Sequence, residues 1–389
     1  MKITDLQVKL IGLGFRNCIV VELHTDAGLI GRGETVLKRH SRTVEASLRE
    51  LSRYLVGKDP GGIEDHYEKM YRESFWVGGP MHASAISAVD VALWDLKGQA
   101  LGAPIHTLLG GPTRQEIPVY CHCPAGDSPA EFASNLRQRV EWGHRAAKTT
   151  LPVFYGSGGG GYSGRPGSVS PSWKETEYLP TDVIPRITEF FAAAREEVGG
   201  EFELAVDCHG RLSPALAHQL ADGLAPYRLL FIEEPIPPEH AAELSAVSRR
   251  SVTPIAAGER MASIHEVRPF LQAQAVAYLQ VDFANCGGIT SGKKIAALAE
   301  SHHVGVCPHN PNGPLATAAA VHLLAAIPNA FMLETIGSPD DWELQRRMSP
   351  DCLTAADGVI RVPDRPGLGV SLADDAEQRF PYQPFAGWR

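Results

Sequence analysis

Between residues 117 and 334, eight short apolar runs recur, and stretches with helical spacing separate them. The runs are 117–121, 146–150, 202–208, 229–234, 254–259, 277–282, 305–309 and 330–334. Strands that alternate with helices pair in parallel, because the helix carries the chain back to the same end of the sheet. Eight such units imply a closed (β/α)8-type TIM barrel, so the expected class is α/β.

The chain before the barrel reads differently. Cys18 to His24 is a β-branched run, Asp26-Ala27-Gly28 a turn, and Leu29 to Glu34 a second strand, which together predict a hairpin. Helices are expected over 41–55 and 84–101. In the second, Ile86, Val89, Ala92, Leu93 and Leu96 recur at helical spacing. Gly110-Gly111-Pro112 then breaks the pattern. Three parts follow: an α+β N-terminal capping domain over residues 1–115, the barrel over 116–361, and a Pro-rich C-terminal segment, 362–389, that packs back on the first domain.

Composition narrows the class of partner. The 389 residues are 44% hydrophobic and 21% charged, enough for a large core. The formal net charge is −9 and no Lys/Arg-rich run stands out, which argues against nucleic acid. No apolar run is long enough to cross a bilayer, and the N-terminus lacks the apolar core of a signal peptide. Seven cysteines, an odd number in a long chain, suit the reduced thiols of a cytoplasmic enzyme.

Function is written at the ends of the strands. The third ends in Asp207-Cys208-His209, the fourth in Glu233-Glu234-Pro235 and the fifth in Gly258-Glu259-Arg260. The sixth, seventh and eighth end in Asp282, His309 and Glu334. The C-terminal ends of barrel strands converge on one mouth, so ionisable groups there point to catalysis. Asp207, Glu233 and Glu259 are spaced by 26 residues each time, one unit of the barrel. Three carboxylates at one level on adjacent strands repel one another unless a hard cation neutralises them. An all-oxygen set favours one Mg²⁺, and no His or Cys lies in register to favour zinc. Cys121-His122-Cys123 reads as strand filler, with both thiols on one side and His122 on the other.

Two further segments are ambiguous. The glycine-rich insertion 156–173 follows the second strand, where it is either a surface loop or a lid over the mouth. Gly287-Gly288 opens a helix and suits either a phosphate site or a tight turn.

The motifs VDCHGRLSP, FIEEPIPPE, PIAAGER, QVDFANCGGIT and PHNPNGP resemble those of the enolase superfamily, in its mandelate racemase subgroup. GGPMHASAISAVDVALWDLKGQALGAP before the barrel and the late PGLGV extend the resemblance over nearly the whole chain. Within the subgroup it is similar to the D-galactonate dehydratases and related acid-sugar dehydratases. The resemblance implies dehydration of a small-molecule sugar acid to its 2-keto-3-deoxy product, with galactonate favoured over mannonate, gluconate or arabinonate. A catalytically retired homologue that only binds is the other reading. A homo-oligomer is implied too.

It also implies roles. Asp207, Glu233 and Glu259 match the metal ligands. Asp282 and His309 match an Asp–His dyad in which the imidazole is the base. His209 matches the acid that protonates the departing 3-hydroxyl, and Glu334 a group that hydrogen-bonds the substrate carboxylate. Lys148, Thr150 and Arg260 are expected to bind substrate from the barrel. Arg16 and Trp76 resemble residues of the capping loops, where Arg16 would bind a distal hydroxyl and Trp76 close the pocket.

The chain departs from the pattern in places. Thr150 stands where many relatives carry a second lysine, which disfavours a two-base racemase. Thr150, Asn310, Leu333 and Thr335 also differ from the galactonate enzymes.

Overall fold

The first three strands, β1 (Ile3–Leu13), β2 (Arg16–Thr25) and β3 (Ile30–Thr35), form an antiparallel meander in the order β1-β2-β3. The expected hairpin is β2–β3, and β1 is an added edge. Strand β2 is buried on both faces because its side chains alternate. Ile19, Val21 and Leu23 join a core with the helices that follow, and Cys18 and Val20 join the core shared with the barrel. Those helices are α1 (Ser41–Leu55), α2 (Ile63–Arg72) and α3 (Pro80–Leu101). Helix α3 lies so close to β3 that a Cβ at Gly33 would sit 1.9 Å from the carbonyl oxygen of Ala88. Only glycine allows that approach. A short α4 (Ile105–Leu108) leads into the barrel.

This computed structural model describes residues 1–73, 75–155 and 182–384. The glycine-rich insertion 156–173 lies outside them, and so does its reading as a lid or a surface loop.

All eight expected barrel strands form: β4 (Glu116–His122), β5 (Ala146–Thr149), β6 (Glu203–Asp207), β7 (Phe231–Glu233), β8 (Ile255–Ala257), β9 (Tyr278–Leu279), β10 (Gly305–Val306) and β11 (Leu333–Thr335). Each is followed by a helix: α5 (Pro129–Glu141), α6 (Val183–Val198), α7 (Pro214–Leu224), α8 (Ala241–Arg250), α9 (Ile264–Gln272), α10 (Gly288–Ser301), α11 (Pro314–Ala326) and α12 (Pro339–Met348). Neighbouring strands pair in parallel from β4 to β10, and β11 returns to β4. A bridge between Val306 and Ala330, with Phe331 N–H donating to Val306 at 2.8 Å, joins the two ends. The barrel is therefore closed, as expected. Inside it, Tyr120 and Phe231 pack among Ala146, Ala205 and Ala256, large against small.

The strands are shorter than the apolar runs. Glu259, Asp282 and His309 lie just beyond β8, β9 and β10, on the loops of the mouth. A further strand, β12 (Val359–Arg361), pairs antiparallel with β4. From residue 362 the chain runs back toward the N-terminal meander, past a one-turn α13 (Ala376–Arg379). There Gly12 N–H donates to Phe380, and Asn17 Nδ2 to Gln383, both at 2.8 Å.

Two acidic side chains fasten the first domain to the barrel. Helices α10 and α11 are preceded by Gly287 and Gly313 at their N-caps, which have no side chain to cap the free N–H groups. Glu34 supplies the cap for α11, accepting from the N–H of Gly313 at 2.7 Å and of Leu315 at 3.0 Å. Asp90 does so for α10, accepting from Thr290 N–H at 2.9 Å. A Cβ at Gly313 would sit 2.3 Å from Glu34 Oε1, and one at Gly288 2.4 Å from Asp90 Oδ2. The Gly287-Gly288 turn is thus a close approach to a carboxylate of its own chain, which replaces its reading as a phosphate site. Burial raises both carboxyls, Asp90 to about 7.

Candidate active site

The mouth of the barrel encloses a cavity of about 610 Å³, lined from both domains. Asp207 and Glu233 are register partners on β6 and β7, so their side chains leave the strands side by side. Glu259 follows β8. The three offer oxygens that all lie within 4.8 Å of one another. Asp207 and Glu233 are buried, and Glu259 is nearly so. Lys148 reaches between them from β5, with Nζ 2.7 Å from Glu233, 3.3 Å from Glu334 and 3.5 Å from Asp207. Burial opposes charge on this ammonium, but the surrounding carboxylates outweigh it and hold the lysine well above its usual range. Burial and the neighbouring Asp207 push Glu233 up to about 8. Asp207 is held low despite its burial by the charges of His209 and Lys148.

Asp282 is fixed by Ala284 N–H at 2.8 Å and by Asn312 Nδ2 at 3.0 Å. Its Oδ2 lies 2.9 Å from His309 Nδ1. That contact assigns the Nδ1 proton to the Asp282 side, and Nε2 is left 3.3 Å from Glu259 Oε2. Burial lowers the proton affinity of this imidazole, yet Glu334, Glu259 and Asp282 together raise it to about 10.

His209 enters from another side. Its backbone has φ 49°, in the left-handed region that non-glycine residues seldom adopt. The turn folds His209 back on Asp207, with its N–H 2.8 Å from Oδ1 and its Nε2 3.0 Å from Oδ2.

Glu334 is fully buried and closes the circle. Tyr120 OH and Asn310 N–H donate to Oε2, both at 3.3 Å, and His122 Nε2 meets Oε1. His122 lines the cavity, whereas Cys121 and Cys123 are buried in the core outside it. The alternation of that strand is as expected, but His122 is not filler. The position was legible, since His122 ends the first barrel strand just as the other candidates end theirs.

Of the residues expected to bind substrate, Lys148, Arg260 and Arg16 line the cavity. Arg260 is paired with Glu234 at 2.5 Å, and Arg16 with Asp341 at 2.9 Å. Thr150 and Trp76 are not among the described lining residues. The parallel register of β5 stops at Thr149, so the alternation that would aim Thr150 like Lys148 does not reach it. Trp76 is 83% exposed, its ring edge against Phe75.

Comparison with known proteins identifies both parts of the chain. Residues 5–110 match the mandelate racemase / muconate lactonizing enzyme N-terminal domain, and residues 131–376 match the enolase C-terminal domain-like family. A D-galactonate dehydratase of Cronobacter sakazakii is 35% identical, over 95% of this chain and 92% of its own. That of Ralstonia pickettii is 37% identical, over 90% and 88%. The crystal structure of an enolase from Pantoea ananatis with bound D-gluconate and Mg superposes with a TM-score of 0.87 at 29% identity. It covers 98% of this chain and 94% of that one.

Proposed function

The chain belongs to the enolase superfamily, in its mandelate racemase / muconate lactonizing enzyme branch, and on that premise we propose that it is a Mg²⁺-dependent hydro-lyase that dehydrates sugar acids, with a galactonate-type substrate. The substrate loses its α-proton and its 3-hydroxyl as water, and the resulting enol becomes a 2-keto-3-deoxy acid. One observation carries this reading. Two imidazoles from different strands, His309 and His209, flank a three-carboxylate cluster on one cavity.

Asp207, Glu233 and Glu259 would hold one Mg²⁺. The donors are all oxygen, and Glu233 Oε1 is buried with no hydrogen-bond partner among the described residues. When bound, the ion offsets the second negative charge that builds on the substrate carboxylate as the α-proton leaves. Lys148 binds and orients that carboxylate, and Glu334 hydrogen-bonds it, itself positioned by Tyr120, Asn310 and His122. His309 takes the α-proton on Nε2, because Nδ1 is committed to Asp282. Hydroxide is a poor leaving group, so His209 delivers a proton to the 3-hydroxyl oxygen. Thr150 stands in place of a second lysine, which disfavours a two-base racemase and supports elimination.

Gluconate is the second reading, favoured by the ligand of the Pantoea relative. Incubating the Mg²⁺-loaded chain with galactonate, gluconate, mannonate and arabinonate, and assaying 2-keto-3-deoxy product, tests the proposal. Of these four aldonates, galactonate is expected to turn over fastest. Binding of these acids without any product would leave a homologue that only binds.

A further inference from the structure

The two walls of the cavity differ in charge. Among the described residues, the barrel wall mixes the carboxylates Asp207, Glu259 and Glu334 with the cations Lys148, Arg211 and Arg260. The N-terminal domain contributes the cations Arg16 and Lys38 and no carboxylate. A substrate whose reacting end lies on the metal cluster therefore presents its far end to a cationic wall.

Arg16 is the sharper of the two signals. It is 3% exposed, at the first position of β2, with its guanidinium over the ring of Phe15 at 4.6 Å. Its Nη2 pairs with Asp341 Oδ1, while the other oxygen of Asp341 is taken by Gln345 Nε2 at 2.6 Å. Nε and Nη1 remain buried with no hydrogen-bond partner among the described residues. A purely structural ion pair would use these donors, since a buried guanidinium is stable only when its N–H groups find acceptors. Lys38 lines the same wall. Burial, with the neighbouring Arg39 adding to it, lowers its ammonium to about 8. A terminal hydroxymethyl group brings no charge to such a wall. A terminal carboxylate or phosphate brings both charge and several acceptors.

We infer that the substrate carries a second anionic group at the end remote from the metal cluster, so that a sugar diacid of the galactarate type is preferred to the aldonate. The inference rests on the dehydratase reading for the orientation of the substrate.

The test uses the full chain with Mg²⁺ and three ligands of galacto configuration: D-galactonate, the meso diacid galactarate and D-galactonate 6-phosphate. Affinity is measured by calorimetry and turnover by product. The ligands with a terminal anion are expected to bind about 10- to 100-fold tighter than galactonate, the range for one charge-assisted contact. Whichever of the two binds tighter identifies the anion. Arg16→Met should remove most of the preference through Kd and KM. Lys38→Gln should reduce it as well, and it leaves the Arg16–Asp341 pair intact should Arg16→Met fail to fold. Equal affinity for all three ligands, or a preference that survives both variants, would overturn the inference. Arg16-dependent selective binding without any product would retire the dehydratase reading and leave the anion site standing. Turnover of galactonate with no discrimination would do the reverse.

Discussion

His309 and His209 are chemically alike, and their surroundings divide the work between them. His309 has Nδ1 committed to an Asp282 that is itself held by Asn312 and Ala284. His209 leans on Asp207, inside the metal cluster. If this division is right, the steps separate in D₂O. His309→Asn should abolish both dehydration and exchange of the α-proton. His209→Asn should block dehydration by roughly 10²- to 10⁴-fold, the usual worth of a general acid, while exchange persists. NMR of the substrate in D₂O reads both, and exchange surviving only in His309→Asn would reverse the roles. The spacing of the sequence brought these residues into view because each ends a strand. Single residues whose meaning depends on distant partners stayed hidden. Nothing near Arg16 announces Asp341, which lies 325 residues away. His122 was legible from its place at a strand end and was passed over for another reason. The cysteines on either side made the tripeptide look like core.

At the scale of elements, what matters is how the capping domain is tied to the mouth. Glu34 and Asp90 each spend a buried charge on the N-terminus of a barrel helix, where N–H groups and the helix dipole favour an anion. For Asp90 the compensation is incomplete, because Oδ1 has no partner among the described residues and burial lifts the carboxyl to about 7. The sign follows from that rise. Its folded value lies above its unfolded one, so its contribution is fully present below about pH 4 and is lost as pH rises through about 7. Asp90→Asn keeps an acceptor for Thr290 and removes the charge. The melting temperature of the variant relative to wild type should therefore climb between pH 4 and pH 8, by the equivalent of on the order of a few kcal/mol. A difference that stays flat across this range would show that the helix terminus fully stabilises the anion. Element positions were legible where periodicity is strong, as in α1, whose bounds are those expected. Strand lengths were not, because apolar residues continue into loops that pack on the same core. The caps escaped notice because Gly287 and Gly313 show only that a side chain is missing.

Across the whole molecule, the two domains enclose a chamber whose floor holds more buried negative charge than Lys148 can balance. Asp207, Glu233 and Glu334 are all buried around that one ammonium, with Glu259 beside them. The consequence is thermodynamic as well as catalytic. A cation that binds the folded cluster and not the unfolded chain stabilises the fold by mass action, about 2.7 kcal/mol at a hundredfold excess over Kd. Mg²⁺ should thus raise the melting temperature of the chelated protein by a few degrees, in step with recovery of dehydratase activity. Glu233→Gln keeps the shape of the side chain and removes one ligand charge. It should lose most of that thermal response, and activity should fall even at high Mg²⁺. Zn²⁺ serves as the control for ligand type, since the three carboxylates themselves offer only oxygen. Full turnover in chelated protein, with no thermal response to Mg²⁺, would mean that Lys148 alone balances the cluster and that the three carboxylates do not form a metal site.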